Sequence, residues 1–162
     1  MKEFIDKIRP LSALKERLEG LRKEKIIVFT NGCFDILHPG HIRYLYEAKR
    51  LGDILVVGVN SDDSIRRIKG EHKPIMDERA RSEMLSVLPF VDFITIFDED
   101  TPYNLIKEIR PHILVKGGDW EEDRIVGADI VRALGGRVVR IPYIEGYSTT
   151  SIIERIKEKF RL

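Results

Sequence analysis

The 162 residues carry a formal net charge of +1, with 34% charged and 43% hydrophobic side chains. That is a folded-domain profile with enough material for one core, and it excludes a generally basic nucleic-acid binder. Cys33 is the sole cysteine, so no internal disulfide forms. No apolar run nears the ~20 residues of a membrane span, and no signal-peptide pattern opens the chain; a cytoplasmic protein with neither membrane nor nucleic-acid partner is expected.

From Phe4 to Leu21, Ile5, Ile8, Leu11, Leu14, Leu18 and Leu21 recur at helical spacing, with Pro10 dividing two short helices and Ser12 as N-cap of the second. This stretch, 1–24, is expected to be a helical segment ahead of the main domain, 25–162, packed outside the sheet or against a partner chain. Ile26–Phe29 is a short buried strand, followed by a tight loop and a helix over Ile42–Leu51 that Gly52 stops. Asp53–Asn60 reads as a fully buried strand, Ser61-Asp62-Asp63 as a cap, and Ser64–Lys69 as a short helix or turn. Helix Asp77–Leu88, strand Val91–Phe97 and helix Thr101–Ile109 follow, the last opened by Thr101-Pro102 and stopped by Pro111. Strand His112–Lys116, helix Asp123–Leu134, strand Arg137–Ile141 and helix Ser148–Phe160 complete the chain, with Ile152, Ile153 and Ile156 expected to face the core. Alternating strands and helices specify an α/β, doubly wound, Rossmann-like domain with a mostly parallel sheet of about five strands.

The residues that carry chemistry gather where strands end. The loop Thr30-Asn31-Gly32-Cys33-Phe34-Asp35-Ile36-Leu37-His38-Pro39-Gly40-His41 runs from the first strand into a helix start, where free N–H groups and the helix dipole favour an anion. Gly32 and Gly40 let backbone approach phosphate, and His38 and His41, three apart, share one side of the helix start. As donors they suit a phosphate group. A metal reading of the pair lacks further ligands at tetrahedral-site spacing, so no metal site is expected. Cys33 lacks an evident base and orienting group for a nucleophile and reads as a small buried side chain. Asp35 serves equally well to hold the loop or to position an acceptor. Arg66, Arg67, Lys69, His72 and Lys73 form a basic cluster after the second strand. Lys116-Gly117-Gly118-Asp119 ends the fourth strand with paired glycines beside a lysine, suited to close approach of a nucleotide. Ser148, Thr149 and Thr150 open the last helix with more hydroxyls than one N-cap needs, which suits a phosphate cradle.

The string TNGCFDILHPGH resembles the HxGH signature of the nucleotidyltransferase superfamily, and in its longer form the adenylyltransferase domain of ADP-heptose synthases. The resemblance spans roughly Lys25 to Ile156. It implies strand order 3-2-1-4-5 and transfer of AMP from ATP, with magnesium, to the sugar phosphate D-glycero-β-D-manno-heptose 1-phosphate. The products would be ADP-heptose, a lipopolysaccharide core precursor, and pyrophosphate. It implies catalytic roles for His38, His41 and Lys69, and nucleotide contacts from Thr30–Phe34, Gly40, Arg81, Lys116–Asp119 and Ser148–Thr150. Related cytidylyltransferases carry an acid where Gly118 stands, which favours ATP here, and an arginine where Tyr143 stands. Members fused to a sugar kinase are common; a stand-alone transferase, supplied by a separate kinase and phosphatase, is expected. The resemblance and the apolar N-terminal helices point to a homodimer. A cytidylyltransferase for glycerol 3-phosphate or another small phosphorylated alcohol is the alternative enzyme, and a non-catalytic nucleotide sensor the alternative of another class.

Overall fold

Five parallel strands form one sheet in the order β3-β2-β1-β4-β5. They are β1 (Ile27–Gly32), β2 (Ile54–Asn60), β3 (Phe93–Phe97), β4 (Ile113–Gly117) and β5 (Arg137–Ile141) in a computed structural model that describes residues 2–118, 124–142 and 146–161. β2 is buried along its whole length, as its unbroken apolar run requires of a strand covered on both faces.

Helices α1 (Lys2–Ile5), α2 (Leu11–Leu21), α3 (Pro39–Lys49), α4 (Asp62–Lys69), α5 (Glu78–Ser86), α6 (Tyr103–Ile109), α7 (Ala128–Ala133) and α8 (Thr149–Phe160) connect or flank the strands. Period-two alternation along β1 divides the core. Ile27 and Phe29 pack with Leu14 and Leu18 of α2, Leu105 and Ile106 of α6 and Val131 of α7. Val28 faces the other way, into a cluster with Leu45 and Ala48 of α3 and Leu85 of α5. The α2 helix therefore covers one sheet face. The segment before it adds a parallel bridge from Ile8 to Ile94, with Arg9 N–H donating to Ile94 and Ile94 N–H to Lys7, so the open edge of β3 is occupied.

Local chemistry moves several boundaries. Pro10 rather than Ser12 sits at the α2 N-cap, and it supplies no side-chain bond. The third helix begins at Pro39, with His38 as N-cap, because proline is accommodated in a first turn. α7 begins at Ala128, later than the sequence suggests, since Gly127 takes φ 85° and an added Cβ there would lie 2.5 Å from Ile106. α8 has no buried residue and Ile156 is 44% exposed, which overturns the expectation that its apolar stripe faces the core. Asp119 and Tyr143 lie outside the described residues.

The pairing of β1 is uneven. With β2 it runs the full strand, Ile27↔Ile54 to Gly32↔Val59. With β4 it comprises only Val28↔Ile113 and Phe29↔Leu114. Past Phe29 the two strands part at their carboxyl ends. This is also the point where strand order reverses, the place where open α/β sheets bind ligands.

Candidate active site

Two side chains bridge the split. The Tyr44 hydroxyl, from α3, lies 2.6 Å from Thr30 Oγ1 and donates to the Val115 carbonyl at 3.3 Å. Above it Lys116 Nζ donates to Asn31 Oδ1 at 3.3 Å. Burial pushes the Lys116 ammonium pKa down, and Lys69 adds to this while Cys33 opposes it. Lys69 ends α4 and is exposed, close enough for its charge to act on Lys116 and on His41 alike.

The imidazoles sit at the start of α3. His38 is 7% exposed, and its Nδ1 accepts the His41 backbone N–H at 3.4 Å, a long N-cap bond. An accepting Nδ1 carries no proton, so the neutral His38 ring bears its hydrogen on Nε2. The two rings stack, centroids 3.7 Å apart and planes 21° from parallel. Gly40 permits this: a Cβ there would stand 2.9 Å from the His38 ring. Phe34, held at φ 49°, presents its edge or face to His41 at 5.4 Å between centroids. Burial first, then the His38 and Lys69 charges, lower the His41 pKa to about 4, with Asp35 pulling the other way. Burial also lowers that of His38. Both rings are neutral at pH 7, and His41 Nδ1 is buried without a hydrogen-bond partner. A buried polar atom of this kind is costly unless a ligand or water completes it.

α8 closes the other side. Ser148 and Ser151 form a reciprocal capping box, and Thr149 Oγ1 donates to the Asp35 carbonyl at 2.7 Å. A Cβ on Gly40 would lie 3.5 Å from Tyr147, so the α8 start stands beside the imidazole loop. The structure thus gathers His38, Gly40, His41, Asn31, Lys69, Lys116, Gly117 and Thr149 around the carboxyl end of the split. Gly118, at φ 99°, turns the chain out of β4.

Five expected contacts, Arg81, Thr30, Phe34, Ser148 and Cys33, have other tasks. Arg81 was expected at the nucleotide, but its side chain is fully buried and bonds to Cys33, Asn60, Met76 and Asp62. The Thr30 hydroxyl is buried against Tyr44 rather than open to a ligand. Phe34 is buried under Gly32 and His41, where it supports the ring. Ser148 Oγ caps α8, accepting the Ser151 N–H at 3.0 Å; Thr150 is exposed. Asp35 takes the loop-holding role: its carboxylate accepts Ile75 N–H at 2.9 Å and Met76 N–H at 3.0 Å. Cys33 is half-buried and serves through its carbonyl. Tyr44 was missed because a tyrosine on a helix face carries no signal of a strand split it fills. Among the described residues, no cluster of three or more His, Cys, Asp or Glu side chains is arranged to hold a metal ion, and no helix is long and apolar enough to cross a membrane.

The cytidylyltransferase-like family model matches residues 29–155. The bifunctional protein HldE of Campylobacter jejuni is 56% identical over 147 residues, which are 90% of this chain and 31% of that protein. HldE of Syntrophotalea carbinolica is 51% identical over 159 residues, 98% of this chain and 32% of the relative. The chain therefore spans just under a third of the length of these relatives. A lipopolysaccharide core biosynthesis protein from Thermoplasma volcanium is similar in structure, with TM-score 0.61 and 35% identity over 76% of this chain and 99% of that one. Pantoate-beta-alanine ligase from Francisella tularensis, at 14% identity and TM-score 0.59 over 96% of this chain and 79% of that one, shares the fold.

Proposed function

The chain belongs to the cytidylyltransferase-like family, and from that premise we propose that it is an adenylyltransferase that makes ADP-heptose and pyrophosphate from ATP and D-glycero-β-D-manno-heptose 1-phosphate. The observation that carries this reading is the stacked, neutral histidine pair at the α3 N-terminus, set in the split between β1 and β4. Similarity to bifunctional HldE proteins and to a lipopolysaccharide core biosynthesis protein supports the acceptor.

The acceptor's phosphate oxygen attacks the α-phosphorus of ATP. The bond to the α,β-bridging oxygen breaks, and pyrophosphate leaves with that electron pair. Such a reaction asks the protein for position and positive or donor character rather than a nucleophile. His38 Nε2–H and the His41 ring donate to the α-phosphate oxygens as charge grows there. Lys69, Lys116 and the first-turn N–H groups of α8 offset charge on the β- and γ-phosphates. Gly117 and Gly118 admit the nucleoside beside β4. Magnesium, entering with ATP, would be held chiefly by the triphosphate oxygens and water, since among the described residues no cluster of three or more His, Cys, Asp or Glu is arranged for a metal ion. Its chemistry there is to neutralise leaving-group charge.

Pyrophosphate release with ATP, magnesium and the heptose phosphate tests the assignment. Turnover is expected with that pair and not with CTP and glycerol 3-phosphate. Faster turnover with the second pair replaces this reading with the cytidylyl alternative, and nucleotide binding without release under any pair replaces it with the sensor.

A further inference from the structure

We propose that Arg81 is a positioning residue whose guanidinium fixes the imidazole loop against α4, so that His38, His41 and Lys69 converge on one set of phosphates. The inference rests on the nucleotidyl-transfer reading above. Its ground is the set of chain segments that one side chain joins. Arg81 Nε donates to the Met76 carbonyl at 3.0 Å, just before α5. One terminal nitrogen donates to the Cys33 carbonyl at 2.6 Å, at the head of the imidazole loop. The other donates to the Asn60 carbonyl at 2.8 Å, where β2 ends, and to Asp62 Oδ1 at 2.7 Å, where α4 begins. The side chain is 0% exposed.

Only a planar fork reaches acceptors spread over four segments; an ammonium is a point charge. Burying a charge for stability alone is a poor arrangement, because apolar side chains of the same volume serve as well or better. What they do not supply is a fixed relation between segments. Asp35 continues the same tie. Its carboxylate takes the Ile75 and Met76 N–H groups, and its carbonyl takes the Thr149 hydroxyl. Met76 is thereby held through both its carbonyl and its N–H. A continuous run of bonds links the α8 start, the imidazole loop, the segment before α5 and the head of the helix that carries Lys69. None of these bonds needs to touch a ligand to set where the ligand's partners stand.

The test uses the whole chain and the Arg81→Lys variant, which keeps the charge and loses the fork. Steady-state kinetics with ATP and the heptose phosphate, thermal melts, and NMR titration of the imidazoles are compared with wild type, and Lys69→Ala completes a mutant cycle. Arg81→Lys is expected to fold and to lose about ten- to a hundredfold in kcat, with a smaller change in KM for ATP. The double variant is expected to lose less than the product of the singles, because a displaced Lys69 has less left to lose. The His41 midpoint, about 4 in the intact loop, is expected to rise toward 6.5 as water enters. A folded Arg81→Lys protein with wild-type kcat and an unmoved midpoint overturns the proposal, as does a lowered melting point with kinetic effects that simply multiply. If Arg81→Lys does not fold, Asp62→Asn weakens only the charged member of the set. It is expected to cost about three- to tenfold in kcat and raise the same midpoint, and no change in either overturns the proposal. The midpoint is read without substrate, so a wild type that releases no pyrophosphate refutes the proposed function while leaving the positioning role decidable.

Discussion

His38 joins a structural task, capping α3, to the catalytic one proposed for it and for His41. Because the His38 ring caps α3, His38→Ala should cost stability, about 0.5–2 kcal/mol for a lost N-cap, and near the lower end given the 3.4 Å bond. If both rings also donate to charge that appears only in the transition state, each single alanine variant should lose roughly a hundred- to a thousandfold in kcat, with KM for ATP changing less. The double variant should cost less than the two combined, since both rings act on the same phosphates. A folded single variant that keeps more than about a tenth of wild-type kcat removes that histidine from the mechanism. His41 also writes a pH signature into stability. Its ring takes up a proton below about 6.5 in the unfolded chain but only below about 4 in the folded one. Between those values the unfolded state binds more protons, so stability is full above pH 6.5 and falls as pH drops toward 4. Melting temperatures over that window should decline less steeply in His41→Ala than in wild type. Parallel curves would mean that the ring is solvated in the folded protein.

At the scale of the element, the start of α3 depends on a residue with no side chain. A methyl group on Gly40 would stand 2.9 Å from His38 Nδ1 and Cε1, so Gly40→Ala should push the ring off its stack with His41 while leaving the helix itself intact, alanine being the better helix former. The expected result is a fall in kcat of about tenfold or more with little change in melting temperature. Wild-type kcat in that variant would show that the stacked arrangement is dispensable. The motif was legible because glycine, proline and histidine signal themselves locally, and so were the strands: β2 is an unbroken apolar run, and a strand buried on both faces reads that way. What escaped were ties that local pattern does not carry. Arg81 reaches the Cys33 carbonyl 48 residues away, and Tyr44 reaches the Val115 carbonyl 71 residues away. Those acceptors are backbone atoms, which every residue has, so no choice of residue type announces them. The apolar stripe of α8 misled for another reason. Periodicity shows that a helix has an apolar face, not that the same chain covers it. The strand order came from resemblance, since alternation of strands and helices is compatible with several orders.

For the whole molecule, parallel strands send every carboxyl end the same way, and the groups from distant parts of the sequence therefore meet at one rim. Asn31 comes from β1, Lys116 from β4, the imidazoles from α3, Lys69 from α4 and Thr149 from α8. A triphosphate bound there, as proposed, would touch both sides of the sheet's reversal point, where β1 and β4 share only two paired positions. Binding should therefore stabilise the fold as one unit. Ligand at a hundred times its dissociation constant adds about 2.7 kcal/mol. For a domain of about this size each kcal/mol moves the melting temperature by about 2–4 °C, so saturating ATP should raise it by roughly 5–11 °C. If the cations and imidazoles hold the phosphates as proposed, AMP at the same concentration should raise it much less, and Lys69→Ala should shrink the ATP shift more than the AMP shift. Thermal melts across a nucleotide series decide this. Equal shifts with AMP and ATP would mean that the nucleoside alone carries binding, and that the cluster at the rim has another occupant.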